Sequence, residues 1–113
     1  MKAMVHDKIN LWCHELIKSM RSENFEIYFV TGRDDNFRKH TEKWLEDHQV
    51  NYDKLFMRKA EDHRSDEIIK KEIYQKEIAP FSKVLFVVDD RLSVVKMWRE
   101  IGMVCLQCDW GDF

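Results

Sequence analysis

Four clusters of side chains in this chain have types suited to handling a phosphate: Thr31-Gly32-Arg33, Arg58, Lys70 and Asp89-Asp90. A threonine hydroxyl next to a glycine can hold a phosphate oxygen by side chain and backbone N–H together, because glycine lets the backbone come close. Arg33 and Arg58 can each grip a phosphate through two parallel N–H donors. Lys70 is a compact positive charge able to offset the negative charge that accumulates around phosphorus during transfer. The adjacent carboxylates of Asp89 and Asp90 suit a hard divalent ion, and Mg2+ ordinarily takes one or two protein carboxylates plus water and phosphate oxygens. Each feature has an ordinary alternative. Asp89 or Asp90 also suits the cap of a following helix. Arg33 and Arg58 suit surface ion pairs with Asp34 and Asp62, and Arg91 suits pairing with a neighbouring acid. Taken together the clusters favour phosphoryl chemistry.

The elements that must position these groups alternate along the chain. Val84-Leu85-Phe86-Val87-Val88 is a run of five apolar residues, read as a strand covered on both sides, and Asp89-Asp90 follow at its carboxyl end. In open α/β sheets ligands sit outside that end of the strands. From Asp7 to about Met20 the residues Ile9, Trp12, Leu16, Ile17 and Met20 recur at helical spacing. Phe25 to Val30 reads as a strand broken at Thr31-Gly32-Arg33. Asp34 or Asp35 is placed to cap a helix through about His48, with Phe37, Thr41, Trp44 and Leu45 inward. A weaker strand, Tyr52 to Met57, precedes a helix with Ile69, Ile73 and Ile78 inward, ended near Pro80. After Arg91 a helix carries Val94, Val95, Trp98 and Ile101 and stops at Gly102, before a last strand from Met103 to Gln107. Trp110 and Phe113 are expected to cover a sheet edge or groove. The order α-β-α-β-α-β-α-β predicts right-handed crossovers and a doubly wound, three-layer α/β/α fold with a mainly parallel sheet. The four clusters then fall on one rim of that sheet.

Composition sets the frame. With 113 residues and no linker or repeat, a single domain spanning 1–113 is expected. A net charge of −2 gives no global basic field for nucleic acid, so a polyanion needs a local cluster. Three cysteines form no disulfide framework and suit a reducing, cytoplasmic setting. Cys105-Leu-Gln-Cys108 spells C-x-x-C without a second pair, and is expected to be inert. No apolar run approaches membrane-spanning length, so no membrane partner is expected.

Val-Thr-Gly-Arg after a strand, Lys70 on the third helix and Val-Val-Asp-Asp-Arg after the central strand resemble motifs of the haloacid dehalogenase superfamily of phosphatases. Phe56-Met-Arg-Lys followed by Asp62, Arg64 and Asp66, then the run from Asp89 to Gly102 and a terminal Gly-Asp-Phe, look like the 3′-phosphatase domain of phage polynucleotide kinase-phosphatase and its stand-alone relatives. The resemblance runs from about Asp7 to Phe113. It implies that Thr31 and Gly32 bind the transferring phosphate, that Arg33 contacts substrate phosphate and that Arg58 helps hold the nucleotide end. It also implies that Lys70 steadies a phosphoaspartate, and that Asp89 and Asp90 bind or orient Mg2+, one directly and one through water, in an order left open. The implied partner is a phosphorylated nucleotide or nucleic-acid end.

The resemblance fails at one place. Such phosphatases attack phosphorus with an aspartate of a D-x-D-G-T motif on the first strand, and no D-x-D occurs in this sequence. Met1 to His6 is too short for that strand and its motif. An HAD-type sheet with its first strand missing is therefore expected, with covalent catalysis lost. In the family the first strand lies between those ending at Thr31 and Asp89. The gap should be closed by pairing Phe25–Val30 with Val84–Val88, or filled by another chain in a homo-oligomer or swapped dimer. Three functions stay open: a phosphatase body, a non-catalytic module that binds phosphate ends, and an oligomerising remnant.

Overall fold

The computed structural model describes residues 11–109. Helices and parallel strands alternate over these residues in two compact units, 11–62 and 63–109. The expected order of elements is present, with boundaries shifted. The stretch Asp7–Asn10 and the tail residues Trp110 and Phe113 lie outside the described residues.

In the unit 11–62, helix α1 runs Leu11–Ser22 and strands β1, Tyr28–Asp34, and β2, Lys54–Arg58, pair in parallel around helix α2, Arg38–Asp47. Alternate residues of both strands turn inward, as a pleated strand requires: Phe29, Thr31, Leu55 and Met57 are buried. Leu45 and Thr41 of α2 and Cys13 of α1 complete the buried set with Val50. The turn after α1 is tied to β2 by Asp53, whose Oδ2 accepts from Arg21 Nη1 at 2.6 Å and from the Ile27 N–H at 2.7 Å. The Arg21 bond holds the Asp53 carboxyl below its ordinary range.

Three expectations change in this unit. β1 does not break at Thr31 but continues through Gly32 and Arg33 to Asp34. Its register slips between Thr31↔Met57 and Asp34↔Arg58, so the extra residues bulge out of the ladder, which tolerates Gly32-Arg33 within a strand. Trp12, expected inside, is 45% exposed, and Cys13 takes the buried position on α1 instead. Phe37, expected on the inward face of α2, is 44% exposed. It closes a short 3-10 turn, Asp35–Phe37, ahead of the helix, so the 3.6-residue phase of α2 does not extend to it.

In the unit 63–109, helix α3 spans Asp66–Ile73 and passes into a π-helical turn, Tyr74–Ile78. Strand β3, Val87–Asp89, pairs in parallel with β4, Cys105–Gln107, through helix α4, Leu92–Glu100. The core lies under α4, where Val94, Val95, Met97 and Trp98 pack with Cys105, backed by Tyr74, Val87, Ile101 and Met103. The run Val84–Val88 is less covered than its composition suggests: only Val87 and Val88 join β3, and Leu85 is 57% exposed. Val84 to Phe86 stay outside the ladder, so an apolar composition here does not by itself make a strand. Among the described residues the expected pairing of Phe25–Val30 with Val84–Val88 is not one of the ladders; β1 pairs with β2, and β3 with β4.

Gly102 ends α4 as expected, with φ +90°. Its N–H donates to Arg99 O at 3.1 Å, and the Met103 N–H donates to Trp98 O at 2.9 Å, the two bonds of a Schellman cap. An added Cβ at Gly102 meets nothing within 4 Å, so only the backbone resists a side chain. Gly102→Ala should therefore cost about 1–2 kcal/mol, the left-handed penalty, read as a lower urea midpoint at unchanged slope.

Candidate functional site

The residues singled out from the sequence fall into two groups, one in each unit. Thr31, Gly32, Arg33 and Arg58 belong to 11–62, while Lys70, Asp89 and Asp90 belong to 63–109.

In the first group the bulge at the end of β1 shapes the chain. Thr31 is 3% exposed and its Oγ1 accepts from the Arg33 N–H at 3.2 Å, so the hydroxyl and the bulge backbone form one turn. Arg58 closes the turn from the facing strand. Its Nε donates to Gly32 O at 2.8 Å and its Nη1 to Asp62 O at 2.9 Å. Two of its donors are thus spent on the main chain, and they hold the Gly32 peptide in place. Arg33 lays its guanidinium over the Phe37 ring, 4.9 Å from the centroid.

In the second group the two aspartates part company. Asp89 ends β3 and is 1% exposed; Lys70, on the inner side of α3, is 3% exposed. Lys70 Nζ donates to Asp89 Oδ2 at 3.0 Å, and Trp98 Nε1 reaches the same oxygen from α4 at 3.4 Å. Asp89 Oδ1 accepts the Asp90 N–H at 2.9 Å. Burial by itself would raise the Asp89 carboxyl; positive charge around it, the Lys70 ammonium included, and the hydrogen bonds from Lys70 and the Asp90 N–H bring it below its ordinary range instead. Both Asp89 oxygens are therefore occupied. Asp90 is the reverse case: its Oδ1 is out of solvent and has no hydrogen-bond partner.

Neither aspartate caps α4. Arg91 holds the cap position without a side-chain bond there, and its Nη1 pairs with Asp66 Oδ2 at 3.2 Å, the acid partner left open by the sequence. A buried acceptor with no donor is costly unless something else satisfies it, and a hard cation does so. The Asp90 carboxylate thus fits a Mg2+ ligand. Among the described residues no three His, Cys, Asp or Glu side chains converge into a ready-made metal cluster. Cys105 is buried, and burial raises its thiol pKa, which suits an inert role for the C-x-x-C.

Sequence reasoning missed Trp98 as a polar participant. Its helical spacing marks it as core, which it is, but the indole N–H is a donor that finds a partner when buried. Its position nine residues after Asp89, one helix beyond the acidic strand end, was the available signal.

Parallel α/β units with a Thr-Gly-Arg bulge ending one strand and Asp-Asp ending another have the make-up of a Rossmann-like phosphatase of the haloacid dehalogenase type. The model of one family, described as "Polynucleotide kinase PNKP phosphatase domain", matches residues 1–113. The chain belongs to that family, a phosphatase domain family. It is 31% identical over 90 residues to a protein of Autographa californica nuclear polyhedrosis virus described as "Putative bifunctional polynucleotide kinase/RNA ligase". That match covers 79% of this chain and 12% of the viral protein. Two solved structures, of the Pnkp1/Rnl/Hen1 RNA repair complex and of a Pnkp1/Rnl/Hen1 complex, match with TM-scores of 0.93 at 37% identity. Each covers 96% of this chain, which spans 35% and 38% of the solved chains. No helix among the described residues is long and apolar enough to cross a membrane.

Proposed function

We propose that this chain is the body of a Mg2+-dependent phosphatase domain that acts on a 3′-phosphomonoester at a nucleic-acid or nucleotide end, in a doubly wound sheet completed by a D-x-D-G-T strand that the 113 residues lack. The observation that carries this reading is the unequal pair of aspartates beside Lys70. One is fully engaged, and the other presents a buried oxygen with no donor. On this reading Asp90 is the direct metal ligand and Asp89 is the residue that fixes Lys70 and the Asp90 backbone. The bound ion would supply charge neutralisation at the phosphate oxygens. Thr31 and the Gly32-Arg33 backbone bind the transferring phosphate, Arg58 keeps the Gly32 peptide oriented, and Arg33 contacts the substrate. Lys70 supplies positive charge to the transferring group.

By itself the 113-residue polypeptide should bind phosphate ends without hydrolysing them, since the nucleophile is absent from it. The same absence supports a second reading, a non-catalytic module for phosphate ends. A homo-oligomer or swapped dimer, with a second copy of this chain supplying a strand, belongs to the same proposal. No disulfide joins Cys13, Cys105 or Cys108 among the described residues, which fits a reducing, cytoplasmic setting.

The test is fluorescence anisotropy with a 3′-phosphorylated and a 3′-hydroxyl oligonucleotide in Mg2+. The phosphorylated form should bind about tenfold tighter or better, with affinity falling as salt rises. Asp90→Asn should remove the tightening that Mg2+ brings. Equal binding of the two oligonucleotides, unaffected by Mg2+, would overturn the reading.

A further inference from the structure

Beyond the phosphate grip, the unit 11–62 displays an aromatic surface that neither its fold nor phosphate binding requires. Phe37 is 44% exposed although it sits at the start of α2. Its ring has the Arg33 guanidinium over one face, 4.9 Å from the centroid, and the His40 ring set edgewise at 6.5 Å and 66°. The backbone beneath it is fixed twice. Asp34 Oδ1 accepts the Asn36 N–H at 3.0 Å, and Asp35 Oδ1 accepts the Ala60 N–H at 3.2 Å from the loop after β2. An exposed ring on a pinned turn loses little freedom when something stacks on it.

We infer that Phe37, held by Arg33 and His40, is a stacking platform for the nucleobase at the phosphate-bearing end of the substrate. This rests on the reading that the Thr31-Gly32-Arg33 bulge takes the terminal phosphate. Arg33 joins the two functions physically: its backbone N–H belongs to the Thr31 turn and its guanidinium lies on the Phe37 ring. Every base presents a π-face, so stacking on an aromatic ring adds affinity without demanding a particular sequence. A cation on the ring adds an attraction of its own kind to the same aromatic stack. Asp34 and Asp35 stand three and two residues ahead of Phe37, and their negative charge disfavours a phosphate backbone that would run on past this turn. The platform therefore suits the last base of an end, not the middle of a strand.

The test uses the 113-residue protein and four dye-labelled trinucleotides, combining a 3′-phosphate or 3′-hydroxyl with a 3′-terminal thymidine or an abasic residue. Anisotropy should show the base-bearing phosphorylated ligand binding about tenfold or more tighter than its abasic counterpart. Phe37→Ala and Phe37→Leu should erase that difference while leaving the abasic affinity unchanged, and Phe37→Trp should keep it. Thermal melting of each variant confirms that the fold is retained. Equal binding of base-bearing and abasic ligands by the unaltered protein overturns the platform, as does a base preference that survives Phe37→Ala. A variant that weakens both ligands alike also overturns it. The phosphate arm reads separately: if hydroxyl and phosphate ends bind alike, the phosphate-end reading fails, whatever the base arm shows.

Discussion

A D-x-D-G-T strand supplied to this chain, fused ahead of Met1 or added as a separate peptide, should raise phosphate release by about 10⁴-fold or more over the 113 residues alone, the scale on which removal of a nucleophile acts. On the proposed reading, the residues that would hold phosphate and metal have partners within their own units, while the sequence contains no D-x-D. Lys70 is positioned by Asp89, Asp90 retains an unsatisfied oxygen, and the Gly32 peptide is pinned by Arg58. Within each unit these groups are held by their neighbours, and charge preorganised in this way needs no local rearrangement when a reaction begins. Release of inorganic phosphate from a 3′-phosphorylated oligonucleotide measures the effect. Asn in place of the first aspartate of the added strand should return the rate to background. A fused protein that folds, binds the oligonucleotide and still releases no phosphate would defeat the proposal.

Replacing Lys70 by Met should destabilise the chain by about 3–5 kcal/mol, because it strands the Asp89 carboxylate in a site from which water is excluded. The side chains of the pair are 4% and 2% exposed, so neither can recover its charge by turning to solvent. The double replacement Lys70→Met with Asp89→Leu should recover much of the loss, since removing both charges leaves no buried ion. Urea unfolding of the single and double variants measures both.

The pH dependence has a definite sign. The folded Asp89 carboxyl lies below its unfolded value, so its contribution to stability is complete above the ordinary aspartate pKa and is lost as pH falls through the folded one. Stability of the unaltered protein should therefore start to decline below about pH 4–5, and Asp89→Asn should flatten that decline. An unfolding free energy in Lys70→Met equal to that of the unaltered protein would show that the pair carries no stability.

The local signals in the sequence were strong where chemistry and neighbours along the chain are enough. Gly102 as a stop for α4, Val94 and Val95 as core, and the alternation of helices with parallel strands follow from propensity and from the 3.6-residue and two-residue periods. The same periods misplaced Phe37, because a 3-10 turn between strand and helix resets the phase. They also overstated the cover on Val84–Val88, because composition reports how apolar a stretch is but not how much of it joins a ladder. A bulge at Thr31-Gly32-Arg33 leaves no composition signal distinct from a strand end, since glycine serves both.

What the sequence determined by itself was the inventory: Thr31, Gly32, Arg33, Arg58 and Lys70, of types suited to a phosphate, two adjacent carboxylates, and no D-x-D. Only the tertiary structure decided how that inventory is used. Asp89 and Asp90 are equivalent as letters, yet a lysine nineteen residues earlier and a tryptophan nine residues later both converge on Asp89 and leave Asp90 Oδ1 without a donor. Arg58, which on paper suits either a phosphate or an ion pair with Asp62, gives two of its donors to the Gly32 and Asp62 carbonyls. The physical reason is common to both. Hydrogen bonds saturate, so a polar group's role depends on which distant partner folding brings to it first, and no periodicity along the chain encodes that choice.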